Sequence, residues 1–149
     1  MLTDTLIQIY ERDLNKLKTE IVQYSDEADL WKMTGEISNS AGNLTLHLFG
    51  NLNHFIGAVL GGSDYVRNRD AEFSEAGVSR EKLLAEIDKT IPVVTSTLKN
   101  LTDEDFAKLY PIEVFGHPMT TEFFLVHLAT HLTYHLGQIN YHRRLLLGN

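Results

Sequence analysis

The chain has 149 residues, 43% of them hydrophobic and 22% charged, with a formal net charge of -7 and no cysteine. That length suits one domain with a real hydrophobic core, so residues 1–149 are expected to form a single domain. The acidic balance argues against nucleic acid or an anionic membrane surface as partner, and no apolar run reaches the roughly 20 residues that span a bilayer.

The first residues lack the basic-then-apolar pattern of a secretory leader, and a cytoplasmic location is expected. Without cysteine there is no disulfide, thiol nucleophile or thiolate ligand, so a metal site has to use histidine and carboxylate.

Four segments carry helical periodicity. In the first, Leu6, Tyr10, Leu14, Leu17, Ile21 and Tyr24 alternate by four and three residues into one apolar stripe, with Thr3 or Asp4 as cap. SDEADLWKMTGEIS reads as a connector whose Trp31 folds back over the end of the domain. A second helix is predicted from about Ser38 to Leu60, stopped by Gly61-Gly62 and carrying no charge between Ser38 and Gly62. Its Gly42, Gly50 and Gly57 weaken it in isolation but let neighbours approach closely.

SDYVRNRDAEFSEAGV reads as a charged loop. The third helix is predicted from Ser79 to Asn100 on the stripe Leu84, Ile87, Ile91, Val94, Leu98 and Leu101, with Pro92 expected to kink or shorten it. Thr102 and Asp105 suggest a capping box for one further turn. YPIEVFGHPMT should form a short extended piece or hairpin before the fourth helix, which runs from Thr120 or Thr121 to about Leu147. There Phe123, Phe124 and Leu125 read as core packing. The fold class is therefore all-α, a four-helix bundle.

The fourth helix contains HLATHLTYHLGQINYHRR, His127 to Arg144, with four of the seven histidines. At about 100° per residue, His127, His131, His135 and His142 fall within about 80° of one another, and Gln138 falls among them. Histidines four apart can share one ion, whereas seven or eight residues separate them by about 10–12 Å along the axis. The helix thus offers His127/His131 or His131/His135. On the second helix His47 and His54 share a face, and His47 is favoured as third ligand because it lies mid-helix, level with its candidate partners.

His131-Leu-Thr-Tyr-His135-Leu-Gly-Gln138 resembles the closing motif of the DinB-like superfamily, also called the damage-inducible or YfiT-like metalloenzyme fold. The upstream NSAGNLTLHL around His47 resembles that superfamily's second helix, and helix order and length agree over essentially the whole chain. GNLNHFIG, RNRDAEF and GQINYHRR are similar more specifically to a branch classed as a domain of unknown function. The resemblance implies a four-helix bundle holding a divalent metal on His47, His131 and His135. Many relatives have an arginine just before the Gly-Gln, where this chain has Leu136. Characterised members are thiol-dependent S-transferases using bacillithiol or mycothiol, or a maleylpyruvate isomerase, and are frequently homodimers.

Three histidines with open coordination positions describe a site able to activate water or a thiol, so an S-transferase or a hydrolase is expected. With no cysteine in the chain, the sulfur in a thiol transfer would come from a low-molecular-weight cosubstrate. Zinc or nickel suits the donor set ahead of iron or copper. Asn51 and Gln138 are candidates for outer hydrogen bonds or substrate contacts, and Tyr134 or His54 for acid–base work beside a structural role. Arg67, Arg69, Asp70 and Glu72 could gate the site or bind an acidic substrate, but a solvated connector with local ion pairs is the favoured reading. The alternative function is a non-catalytic metal-binding, stress-associated protein.

Overall fold

A computed structural model describes residues 1–147. It is all-helical, and among these residues no strand forms beyond one isolated bridge between Leu109 and Thr120. Helix α1 spans Leu2–Gln23, followed by a 3-10 turn at Glu27–Trp31. Helix α2 spans Ala41–Leu52 and runs directly into a π-helical stretch, Asn53–Ala58. The order is completed by α3 (Arg69–Ser74), α4 (Arg80–Lys99), α5 (Asp103–Ala107) and α6 (Thr121–Leu147). No helix is long and apolar enough to cross a membrane among the described residues.

The apolar stripes decide the packing. All six predicted stripe residues of α1 are buried, and the helix lies against both α4 and α6. Burying each such side chain contributes about 1.5–3 kcal/mol. Tyr10 adds a directional anchor, its hydroxyl donating to the Leu125 carbonyl at 2.7 Å. Helix α2 packs against α3, α4 and α6, which makes it the most enclosed of the helices and explains its lack of charge.

Several expectations need correction. Helix α1 begins at Leu2, so Met1 rather than Thr3 or Asp4 is its N-cap; Asp4 takes part from the first turn, its carboxylate accepting from the Met1 amino group at 3.5 Å. Helix α2 starts at Ala41 rather than Ser38, because the Ser40 side chain accepts from the Asn43 amide and fixes the start there. On α4, Leu83 and Thr90 are buried with Ile87, Val94 and Leu98, while Leu84 and Ile91, and Leu101 just beyond the helix, only flank the core. Pro92 does not shorten that helix. Phe123 is 57% exposed, so only Phe124 and Leu125 of that trio enter the core. The charged loop contains α3, started by the Asn68 side chain accepting from the Ala71 amide.

Elsewhere the local signals hold. Thr102 and Asp105 form the capping box of α5. The segment before α6 closes as a hairpin with only one bridge, its ends held by Tyr110 N–H to Met119 O at 2.9 Å and Thr121 N–H to Lys108 O at 2.8 Å. Gly42 lies under Trp31, whose ring would stand 2.6 Å from a Cβ at that position. Connector and helix can meet there only through a glycine.

Candidate metal centre

Helices α2 and α6 pack side by side, and each turns histidine toward the other. His47 is buried, and His131 and His135 are half-buried. The Nε2 atom of His47 lies 3.2 Å from that of His131, which lies 3.1 Å from that of His135. The three donor atoms all fall within 4.8 Å of one another. The rings meet nearly edge-on, at 77°, 87° and 89°.

Outer hydrogen bonds set the tautomers. His47 Nδ1 is 3.0 Å from Glu72 Oε1, and an ionised carboxylate can only accept, so Nδ1 carries the proton and Nε2 presents a lone pair. Arg67 Nη2 also lies 3.4 Å from that Nδ1, but the guanidinium's shorter contacts are to Glu72, at 2.8 Å and 2.9 Å. His135 Nδ1 is 2.7 Å from Gln138 Oε1, with the same consequence for its Nε2. Two lone pairs therefore point at the Nε2 of His131. A proton there could satisfy one of them well, whereas a cation satisfies all three rings.

The spacing fits that cation. Nitrogen ligands about 2.0–2.1 Å from one ion stand about 3.3 Å apart in a tetrahedron and about 3.0 Å apart at right angles. The two observed separations fall between these values. The three histidines could thus hold a metal ion. His131 Nδ1 is buried with no hydrogen-bond partner among the described residues, which makes His131 the ring without an outer anchor.

Electrostatics keep the donors ready. Burial, reinforced by the neighbouring charges of His135, His47, His127 and Arg67, pulls His131 down to about 3. His135 is also lowered, by burial and by His47, against the hydrogen bond to Gln138. For Glu72, burial pushes upward, but the hydrogen bonds from His47 and Arg67 and the guanidinium charge together hold it below the usual carboxylate range. At neutral pH His131 and His135 are uncharged and Glu72 is ionised, the states that ligation needs.

The other candidates separate clearly. Gln138 lies beside His135 as its Nδ1 partner. Asn51 is buried one turn beyond His47, its Oδ1 without a hydrogen-bond partner among the described residues. Tyr134 is 66% exposed and touches His135 only ring to ring, at 5.4 Å. His54 lies in the π-helical stretch against Phe55, outside the cluster. His127 packs on Phe124 and Phe115. His142 is tied off, with Tyr24 Oη 2.7 Å from Nδ1 and the Lys32 carbonyl 2.8 Å from Nε2.

Glu72 corrects the expected solvated connector. The carboxylate is 6% exposed and reaches the cluster across α2 at Gly50, where a Cβ would stand 1.7 Å from its Oε2. No residue with a side chain can occupy position 50 while Glu72 sits there. The sequence offers only an indirect signal, Gly50 three residues after a candidate ligand, which marks a close approach without naming the partner.

Residues 4–149 match a family described as protein of unknown function (DUF1572). No curated protein matches the chain. Among solved structures, the crystal structure of a conserved protein from Enterococcus faecalis superposes with a TM-score of 0.78 at 18% identity, covering 99% of this chain and 98% of that one. That likeness concerns the fold.

Proposed function

The chain belongs to the DUF1572 family, and from its three converging imidazoles we propose that it is a metal-dependent enzyme with one divalent ion on His47, His131 and His135. The same reading makes it a single four-helix bundle of the DinB-like superfamily. The observation that carries it is the pair of outer anchors: Glu72 and Gln138 turn the Nε2 lone pairs of His47 and His135 toward a common point. Histidines packed merely as core, as His142 is, have both ring nitrogens bonded outward.

When bound, a zinc or nickel ion lowers the pKa of a thiol or a water enough to supply a nucleophile near neutral pH. The chain's own residues do the rest. Three imidazoles leave coordination positions for a substrate, and Glu72 balances the charge from inside the protein. On the resemblance of its histidine motif to thiol-dependent transferases we assign the reaction to S-transfer, with hydrolysis as the alternative; the chain has no cysteine, so the sulfur comes from a low-molecular-weight thiol. In that transfer the thiol loses its proton to solvent, a carbon–sulfur bond forms to the acceptor, and the leaving group departs with the pair from the broken bond.

Protein purified without a histidine tag should carry about one equivalent of divalent metal, and His131→Ala should carry almost none. Conjugation of electrophiles with a panel of low-molecular-weight thiols then tests the reaction. Metal without turnover across a broad panel would leave a binding protein. No metal in the wild type would end the proposal.

A further inference from the structure

A groove of about 590 Å³ runs along the C-terminal half of α6, and ligand His135 and its partner Gln138 form part of its wall. Its opposite wall is the connector around Glu36 and Ile37, with Leu44 of α2 beneath. The size is that of a small-molecule site. Its chemistry is one-sided: among the described residues Glu36 is the only charged side chain lining it, and no lysine or arginine does. Tyr134, Tyr141 and Leu145 stand at its rim, 66%, 67% and 82% exposed, an apolar stripe that water should not favour. Near the cluster, the Arg67 guanidinium lies outside the groove lining and is paired through Nε and Nη2 with both oxygens of Glu72.

We infer that this groove seats the acceptor substrate of the proposed transfer, and that this substrate is an uncharged or cationic molecule with an aromatic or alkyl body. This rests on the metal-site reading only for where the reacting end lies, beside His135. The body would lie between Tyr134, Tyr141 and Leu145, which bury apolar area and offer ring faces. Away from the ion, a carboxylate or phosphate on that body would meet Glu36 and find no cationic side chain among the described lining residues. A substrate whose body is recognised through negative charge is therefore the wrong class.

The test uses three probes of similar size, 1-naphthylmethanol, 1-naphthylmethylammonium and 1-naphthoate, titrated by calorimetry into the full chain stripped of metal by chelator, so that no ion ligates the carboxylate. The alcohol and the ammonium should bind, with the naphthoate weaker by about threefold to fivefold, the size expected for one partly exposed carboxylate. Tyr141→Ala should weaken the alcohol by about fivefold, and Glu36→Lys should bring the naphthoate level with the alcohol or above it. In cobalt-loaded protein, paramagnetic broadening of the methylene protons of 1-naphthylmethanol should place them near the ion.

Equal binding of all three probes, preference for the naphthoate, or indifference to Tyr141→Ala and Glu36→Lys would each overturn the inference. So would light scattering that shows a dimer split into monomers by Leu145→Asp, since a second copy would then occupy the groove. If the naphthyl ranking holds in protein that takes up no cobalt and carries no metal as purified, the groove stands and the metal reading alone fails. If metal is present but the probe protons are not broadened, the metal reading stands and the groove is not its substrate site.

Discussion

His135 and His142 lie seven residues apart on one stripe of α6, yet their surroundings differ completely. His142 is buried and closed: a tyrosine hydroxyl holds one ring nitrogen and a backbone carbonyl the other, so nothing remains to bind. His135 is half-buried and open, with one nitrogen held by Gln138 and the other facing two more imidazoles. The contrast teaches that position on a helix face says little about a histidine's role. What matters is how many of its two nitrogens the fold has already used.

The sharpest way to break that contrast is to delete one histidine from each region. His131→Ala should abolish stoichiometric metal binding, from about one equivalent to under about a tenth, by mass spectrometry of tag-free protein. His142→Ala should leave the metal content unchanged and lower unfolding free energy by about 1–3 kcal/mol in denaturant melts, because the Tyr24 hydroxyl and the Lys32 carbonyl lose a buried partner. Metal loss in His142→Ala, or metal retained in His131→Ala, would erase the distinction.

The next effect is indirect. Glu72→Gln keeps the shape beside His47 but removes the charge, and metal affinity should fall about 10- to 100-fold in chelator competition. Gly50→Ala should do at least as much by pushing the Glu72 carboxylate out of its place, since the added Cβ overlaps it. Arg67→Ala offers a control: it frees Glu72 without touching His47's own bond, so its loss should be the smaller of the two. If Glu72→Gln binds metal as tightly as wild type, Glu72 is only an ion-pair partner for Arg67.

The two regions also differ in how far they could be read from sequence. The α6 stripe is plain from spacing alone, and so is the capping box of Thr102 and Asp105, because each depends on residues a few positions apart. His47 could be chosen over His54 because levels along two helices are fixed by rise per residue. Glu72 could not be found that way. Periodicity treats apolar residues as the buried ones, and α3 has six residues, of which only the carboxylate of Glu72 is buried. Its stability comes from Asn68 at its start and from Asn43, which donates to the Glu72 and Glu75 carbonyls at 3.1 Å and 2.7 Å. The π-helical stretch at Asn53–Ala58 is equally silent in the pattern; the Tyr110 hydroxyl, 52 residues beyond Ala58 in chain numbering, donates to the Phe55 carbonyl inside it at 2.7 Å. Closures of that kind depend on tertiary contacts and leave no local trace.

The smallest expected effect concerns pH in the metal-free protein. His131 is held at about 3 when folded, by burial and its neighbours, against about 6.5 in an unfolded chain. A histidine whose folded value is depressed binds its proton more readily once unfolded. Its neutral form therefore supports the fold fully above about pH 6.5, and that support is lost as pH falls from about 6.5 toward 3. His135 shifts in the same direction and adds to the slope. Denaturant midpoints of metal-free protein between pH 7 and 4 should therefore fall toward acid, and His131→Ala should flatten that fall. Bound metal should steepen it instead, because protons then compete directly for the three nitrogens. Identical slopes for wild type and His131→Ala, with and without metal, would mean that the cluster is no more closely coupled than the closed end of the helix at His142.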